Sequence, residues 1–176
     1  MSGDLLNTLE EQCIFCFTGK VTIQDPKTHQ FLGEGILVDG NLVYLTFRNR
    51  QGQKALFAVI TEERAGESFK FLVEPGKFNA KAVHFDWKYS QIKEFTQREI
   101  GDAMAYAHLR PPAGRLLGTK AFRVFNWTLS KEEFGVLWDV AAFPKVEDLY
   151  GNSEFLDHQI TRSLVRMRKL DIFSVF

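Results

Sequence analysis

Apolar positions alternate in the first half of the chain and recur at helical spacing in the second half. Val21 and Ile23 alternate with polar residues in 20–24, which predicts a strand. The runs 31–38 and 42–47 flank Asp39-Gly40, and Asp-Gly between two apolar runs is typical of a tight hairpin. Further strands are predicted at 68–73, 81–87 and 170–176.

Helical spacing of apolar residues is clearest near the C-terminus. Ser130 and Glu133 have the spacing of a capping box, which predicts a helix start at that point. The following helix is expected to bury Phe134, Leu137, Trp138 and Ala141, and the last helix Leu156, Ile160, Leu164 and Met167. The other predicted helices are 4–17, 53–60, 90–108 and 146–150, and the last helix is expected to begin at Ser153.

These elements predict an α+β protein with two domains. A small mixed or antiparallel sheet with flanking helices would occupy residues 1–110. Residues 111–126, which begin with Pro111-Pro112 and contain two glycines, are interpreted as a linker. The order of helix, short helix, helix and strand in 127–176 is typical of a winged-helix-like module with a minimal wing.

The charge balance excludes some partners, and the lack of targeting and disulfide patterns favours the cytoplasm. The 176 residues contain 22 Lys and Arg and 22 Asp and Glu, so only a local basic patch could bind nucleic acid or an anionic membrane. No apolar run reaches the roughly 18 residues of a membrane span, and residues 1–9 contain no basic n-region, so neither membrane insertion nor a signal peptide is expected. Two cysteines do not make a secreted disulfide framework.

No residue pattern indicates a reaction. Cys13 and Cys16 have C-x-x-C spacing but no second close pair of ligands, so we interpret them as buried structural thiols, with a metal or redox pair as the alternative. No phosphate-binding glycine loop and no G-x-S-x-G motif occurs. The sequence therefore predicts a protein that is not an enzyme and has no cofactor or metal.

Two basic groups are candidate binding residues. His158, Arg162, Arg166 and Lys169 fall on one stripe of the last helix, opposite its apolar residues. In a winged helix this face meets DNA; the alternatives are a protein partner and plain solvent. Arg48 and Arg50, in a predicted loop, could bind a phosphate or a carboxylate, or could simply be solvated.

Several short motifs carry a resemblance to a known family. They are Leu5-Leu6 in an opening helix, the residues 18–23, the hairpin 35–43, Gly52 with Ala55-Leu56, and the Gly-x-x-Phe-x-Phe run 66–71. Together they resemble the PATAN-type domain of bacterial signalling proteins over about residues 4–75. Members often continue into a small winged-helix-like module, to which 129–170 is similar. Residues 44–47 and 81–87 depart from the family pattern.

The resemblance implies an adaptor without catalytic residues. Such proteins act through protein partners in two-component, pilus and motility signalling, including receiver domains, pilus motor ATPases and Ras-like GTPases. The first hypothesis is therefore a non-enzymatic bacterial signalling adaptor. The alternative is a DNA-binding transcription regulator that uses the basic stripe of the last helix. The sequence does not indicate an oligomeric state.

Overall fold

The computed structural model is an α+β structure and describes residues 4–77, 83–120 and 129–176. Contacts divide the chain into two compact units, Met1–Arg98 and Glu99–Phe176. The expected α+β class, with an antiparallel sheet and flanking helices, is confirmed.

The first unit contains a five-stranded antiparallel sheet. Its strand order is β4-β3-β2-β1-β5, and β1–β2, β2–β3, β3–β4 and β1–β5 pair antiparallel. The strands are β1 (Gly19–Gln24), β2 (Phe31–Val38), β3 (Asn41–Phe47), β4 (Arg50–Gln51) and β5 (Lys70–Pro75). The predicted hairpin between β2 and β3 is confirmed.

One face of this sheet forms the core of the first unit with two helices. The pairing register places Val21, Gly35 and Leu45 side by side on that face, and all three are buried. Helix α2 (Gly52–Arg64) packs on β3 and contacts α1 (Leu5–Ile14). Buried side chains from these elements include Leu5, Leu9, Ile23, Phe47, Leu56 and Val59.

The outer edge of β3 is covered by two short segments. β4 pairs with the end of β3 at Phe47, and residues 84–87 lie along its beginning. Leu42 and Trp87 exchange backbone hydrogen bonds of 2.9 and 3.1 Å between N and O. Of the strand predicted at 81–87, residues 81–82 lie outside the described residues, and the remainder forms a single bridge to Leu42 instead of a strand. Helix α3 (Tyr89–Tyr106) follows, and a 3-10 turn (Ala107–Leu109) ends it.

The second unit is built from helices and a two-stranded sheet. The helices are α4 (Lys131–Ala142), α5 (Val146–Asn152) and α6 (Asp157–Lys169), and β6 (Leu117–Thr119) pairs antiparallel with β7 (Phe173–Val175). The predicted capping box is present: Ser130 Oγ accepts from the Glu133 N–H at 3.2 Å, and Glu133 Oε2 accepts from the Ser130 N–H at 2.7 Å. The core contains Val136, Val140, Leu149, Ile160, Leu164 and Met167.

Several predicted boundaries differ from the structure. The contact division falls inside α3, before Glu99, whereas the sequence placed the domain end at residue 110. The segment predicted as a linker, 111–126, contains β6, whose Leu117 is buried in the second core; 121–126 of that segment lie outside the described residues. A strand of three residues is too short for its alternation to be recognised, because the Pro and Gly around it dominate the local pattern. The last helix begins at Asp157 and not at Ser153, which instead caps the end of α5.

None of the helices in the described ranges is long and apolar enough to cross a membrane.

Candidate functional site

The basic stripe predicted on the last helix lies on α6, but its four members have different environments. His158 is only 5% exposed, so the expectation that the whole stripe faces outward is wrong for this residue. Its Nε2 lies 2.6 Å from Glu99 Oε2, and Gln159 Nε2 donates to the same oxygen at 3.0 Å. Glu99 is fully buried on α3, so these contacts attach the first turn of α6 to α3 within the second unit.

This buried histidine and carboxylate have the geometry of a proton-transfer pair but not the access that a reaction needs. Both side chains are almost completely enclosed. A general acid or base must lie within hydrogen-bond reach of a substrate group, directly or through one water. The pair satisfies its polar groups internally, which is the usual condition for burying a charged or polar side chain. We therefore interpret it as a structural contact.

Arg162, one turn further along α6, is held by two carboxylates. Its Nη2 donates to both oxygens of Glu132, at 2.8 and 2.7 Å, and its Nη1 donates to Asp102 on α3. Burial has the largest single effect and acts to lower the pKa of Arg162, but the hydrogen bond to Glu132 and the charges of Glu132, Asp102 and Glu99 together outweigh it, so the pKa rises. The fork geometry of arginine suits this bidentate contact, so the guanidinium serves to join α6 to α4 and α3.

The last two members of the stripe are exposed. Arg166 Nη1 lies 2.9 Å from Glu133 Oε1, the same carboxylate that caps α4. Lys169 is exposed, and no ion pair joins it to another residue in the described ranges. A groove of about 380 Å³ runs along this side of α6, lined by Tyr106, Ser130, Glu132, Arg162, Arg166 and Lys169 among others. Its two guanidinium groups are already neutralised, so the groove has little positive charge left for a polyanion.

Arg48 and Arg50 converge on one carboxylate in the first unit. Arg48 Nη2 lies 3.0 Å from Glu62 Oε2, and Arg50 Nη1 lies 3.7 Å from Glu62 Oε1. The guanidinium of Arg48 also lies over the Phe47 ring, 5.3 Å from its centroid. Arg50 lies in β4 and not in the predicted loop, and Glu62 belongs to α2, so the two arginines attach the β3–β4 turn and β4 to this helix. On sequence alone, an external phosphate or carboxylate is a candidate ligand for these side chains. In the structure, both arginines pair with a carboxylate of the same unit, that of Glu62.

Two large aromatic side chains of the second unit are exposed one turn apart on α4. Trp138 is 71% exposed and Phe134, one turn earlier, is 55% exposed, with Ala141 exposed on the same side. The expectation that these three residues pack inward is wrong, although the same expectation for Leu137 is confirmed. The buried face instead contains Glu133, Val136, Leu137 and Val140. We call Phe134, Trp138 and Ala141 the aromatic face of α4.

The two cysteines lie at the end of α1 and differ in exposure. Cys13 is half-buried and Cys16 is exposed with a positive φ of 48°, so the interpretation of both as buried thiols is wrong for Cys16. Burial raises the pKa of the Cys13 thiol, and a backbone hydrogen bond from Tyr89 partly offsets this. Within the part of the chain that the structure describes, no group of three or more His, Cys, Asp or Glu is placed to hold a metal ion.

Sequence reasoning missed the carboxylates that neutralise the basic stripe. Glu99 and Asp102 lie three residues apart on α3, which places them on one helix face, and Glu132 lies in the first turn of α4. That spacing was visible, but only the packing of three helices shows that the carboxylates meet α6.

No protein-family model, curated protein or solved structure matches this chain.

Proposed function

We propose that the chain is a non-enzymatic bacterial signalling adaptor that docks a folded protein partner through the aromatic face of α4. The observation that carries the proposal is the exposure of Trp138 and Phe134, one turn apart on one helix. Large aromatic residues are enriched among those that dominate binding energy at protein interfaces. An exposed aromatic pair of this kind fits a partner that offers an apolar groove.

The partner class comes from the resemblance in residues 4–75. It would be a component of a two-component system or of pilus or motility machinery, with a Ras-like GTPase as one candidate. The adaptor would act in the cytoplasm and without a cofactor. The ion pairs of Arg162 and Arg166 support this choice over DNA, because they occupy the groups that phosphates would need.

The alternative, DNA binding through α6, receives less support from the contacts. His158 is buried, and phosphates would have to displace Glu132 and Asp102 from Arg162. Binding to a phosphate backbone depends on cations that are free to replace condensed counterions. Among the four residues of the basic stripe, Lys169 best meets the condition of being a cation that is free to bind phosphate.

The test compares the wild-type chain with Trp138→Ala and with Met104→Ala. Met104 is 77% exposed on α3, so its removal controls for the loss of an exposed apolar side chain. Co-purification from the native cell, followed by mass spectrometry, should recover a signalling or motility protein with wild type and Met104→Ala. The purified pair should then bind at least about tenfold more weakly with Trp138→Ala, since removing a central aromatic anchor costs about 2 kcal/mol or more.

Thermal unfolding of Trp138→Ala should match wild type, because an exposed side chain contributes little to the core. Equal affinity of all three proteins for the captured partner contradicts the role of the aromatic face. Repeated capture of no signalling or motility protein contradicts the adaptor function itself.

A further inference from the structure

Among the described residues of the first unit, the outer edge of β5 is an open sheet edge. β5 pairs with β1 on one side, and no strand in the described ranges pairs with its other side. The opposite end of the sheet differs, because β4 and residues 84–87 cover β3. An open edge presents backbone N–H and C=O groups that can pair with another strand.

The backbone groups that β5 presents outward can be assigned from its pairing with β1. The N–H of Gly76 donates to the carbonyl oxygen of Thr18 at 3.3 Å, so position 76 points toward β1. Backbone direction alternates along a strand, so Leu72 and Glu74 also point to β1, while Phe71 and Val73 point outward. Pro75 lies at an outward position as well, where its missing N–H costs no bond within the sheet.

The sequence of β5 is complementary to itself in the antiparallel direction. Lys70 and Glu74 lie symmetrically on either side of Leu72, and Phe71 and Val73 do the same. Lys70, Leu72 and Glu74 share one face of the sheet, where Glu74 Oε2 lies 3.4 Å from Lys20 Nζ on β1. Phe71 and Val73 share the other face, and Val73 is 37% exposed. A lysine and a proline on an edge strand discourage unspecific pairing. When a second β5 strand pairs antiparallel with Leu72 opposite Leu72, however, Lys70 lies opposite Glu74 of that strand.

We propose that β5 is a dimerisation edge that pairs antiparallel with β5 of a second copy of this chain, with Leu72 on the two-fold axis. Phe71 and Val73 of one copy then exchange backbone hydrogen bonds with Val73 and Phe71 of the other. Lys70 of each copy lies opposite Glu74 of the other, and Phe71 lies opposite Val73. The two five-stranded sheets become one continuous antiparallel sheet.

This register makes a geometric prediction that a cross-link can test. The two Leu72 residues form a non-hydrogen-bonded antiparallel pair, whose Cα atoms lie about 4.5 Å apart, within reach of a disulfide. The two Lys70 residues lie four residues out of register, about 14 Å along the strand, beyond that reach. The experiment uses the full chain with Cys13→Ser and Cys16→Ser, to which either Leu72→Cys or Lys70→Cys is added.

Under oxidised glutathione, Leu72→Cys should give a disulfide-linked dimer at least about tenfold faster than Lys70→Cys. Lys70→Cys is the matched control, because it lies on the same strand and face and is the more exposed of the two positions. Equal cross-linking rates, or no dimer with either variant, overturn the proposed register.

Charge exchange tests the same pairing without cysteine. In sedimentation velocity, Lys70→Glu should weaken dimerisation about tenfold, because two carboxylates then face each other at each end of the interface. Glu74→Lys should weaken it similarly, and the double variant Lys70→Glu/Glu74→Lys should restore at least half of the lost affinity.

Circular dichroism monitors whether each variant is folded, since Glu74→Lys also removes the contact with Lys20. A monomer at all concentrations, or a double variant as weak as the worse single variant, overturns the proposal. Neither result bears on partner docking at α4.

Discussion

At the residue scale, the β2–β3 turn shows how backbone geometry follows from residue identity. Asp39 and Gly40 have φ values of 50° and 79°, as the primed turn predicted from Asp-Gly requires. Gly40 is also tightly enclosed: an added Cβ would lie 2.8 Å from the carbonyl oxygen of Cys13 and 3.1 Å from the Cα of Cys16. The turn is therefore positioned against the end of α1.

Gly40→Ala should lower the free energy of unfolding by about 2–4 kcal/mol, since it combines backbone strain with a clash against backbone atoms. Gly66→Ala is the matched control, because φ at Gly66 is also positive, at 99°, but no atom of the described residues lies within 4 Å of an added Cβ. Gly66→Ala should lower the free energy of unfolding by only about 1 kcal/mol. Urea denaturation measures both values, and equal costs would contradict the role of the close contact with α1.

Glu63 is the residue whose environment most affects pH dependence. Its Oε1 accepts a hydrogen bond of 2.9 Å from the N–H of Leu5, in the first turn of α1. Burial raises the pKa of Glu63 to about 7; the Leu5 hydrogen bond acts in the opposite direction and the charge of Asp4 adds to the rise. The folded state therefore keeps a proton that the unfolded state releases near pH 4.5.

Because the folded state binds the extra proton, the stabilising contribution of Glu63 to the free energy of unfolding is complete below about pH 4.5 and is lost as the pH rises through about 7. We expect a loss of about 1–2 kcal/mol, after allowance for the solvent that reaches this half-buried carboxyl. Glu63→Gln keeps an acceptor for Leu5 but does not titrate, so its urea midpoint should fall less between pH 5 and pH 7.5. Glu67→Gln, at an exposed carboxyl, should behave like wild type. An unchanged pH profile in Glu63→Gln would rule out this assignment.

The two thiols of the first unit should react at different rates. Cys16 is exposed, whereas burial both shields Cys13 and raises the pKa of its thiol. Since the thiolate is the reactive form, titration of the native protein with a disulfide reagent at pH 8 should give a fast and a slow phase, about tenfold or more apart. Cys16→Ser should remove the fast phase and Cys13→Ser the slow one. A single phase for both thiols would contradict the difference in burial.

At the element scale, local patterns predicted most helices and strands but not always the side that is buried. The capping box at Ser130 and the apolar stripe of α6 are local in sequence, and both are confirmed. In α4, apolar residues occupy two stripes, one with Val136 and Val140 and one with Phe134 and Trp138. Periodicity alone cannot choose between them, because either stripe could cover a core.

The choice in α4 depends on what packs against the helix. Glu133 must lie on the inner side, since its carboxylate both caps the helix and meets Arg166 of α6. Val136, Leu137 and Val140 then face the core formed with α5 and α6, and Trp138 is left outside. A sequence pattern does not show which residues of other elements pack against this helix.

At the scale of the whole molecule, long-range contacts decide the role of nearly every charged candidate. Glu99, Asp102 and Glu132 reach α6 from 30 to 60 positions away in the chain. They convert a stripe that could have bound DNA into ion pairs that join helices. The signalling function and the family resemblance stay predictions, and the partner experiment at Trp138 is their most direct test.

The α+β class, the β2–β3 hairpin and the positions of most helices could be predicted from local residue patterns. These features depend on residue spacing, on glycine and proline, and on capping side chains, all of which act within a few residues. The burial of His158, the exposure of the aromatic face of α4 and the place of β6 in the second unit follow from long-range packing alone. Burial and ion pairing depend on which distant segments meet, and a one-dimensional pattern does not contain that information.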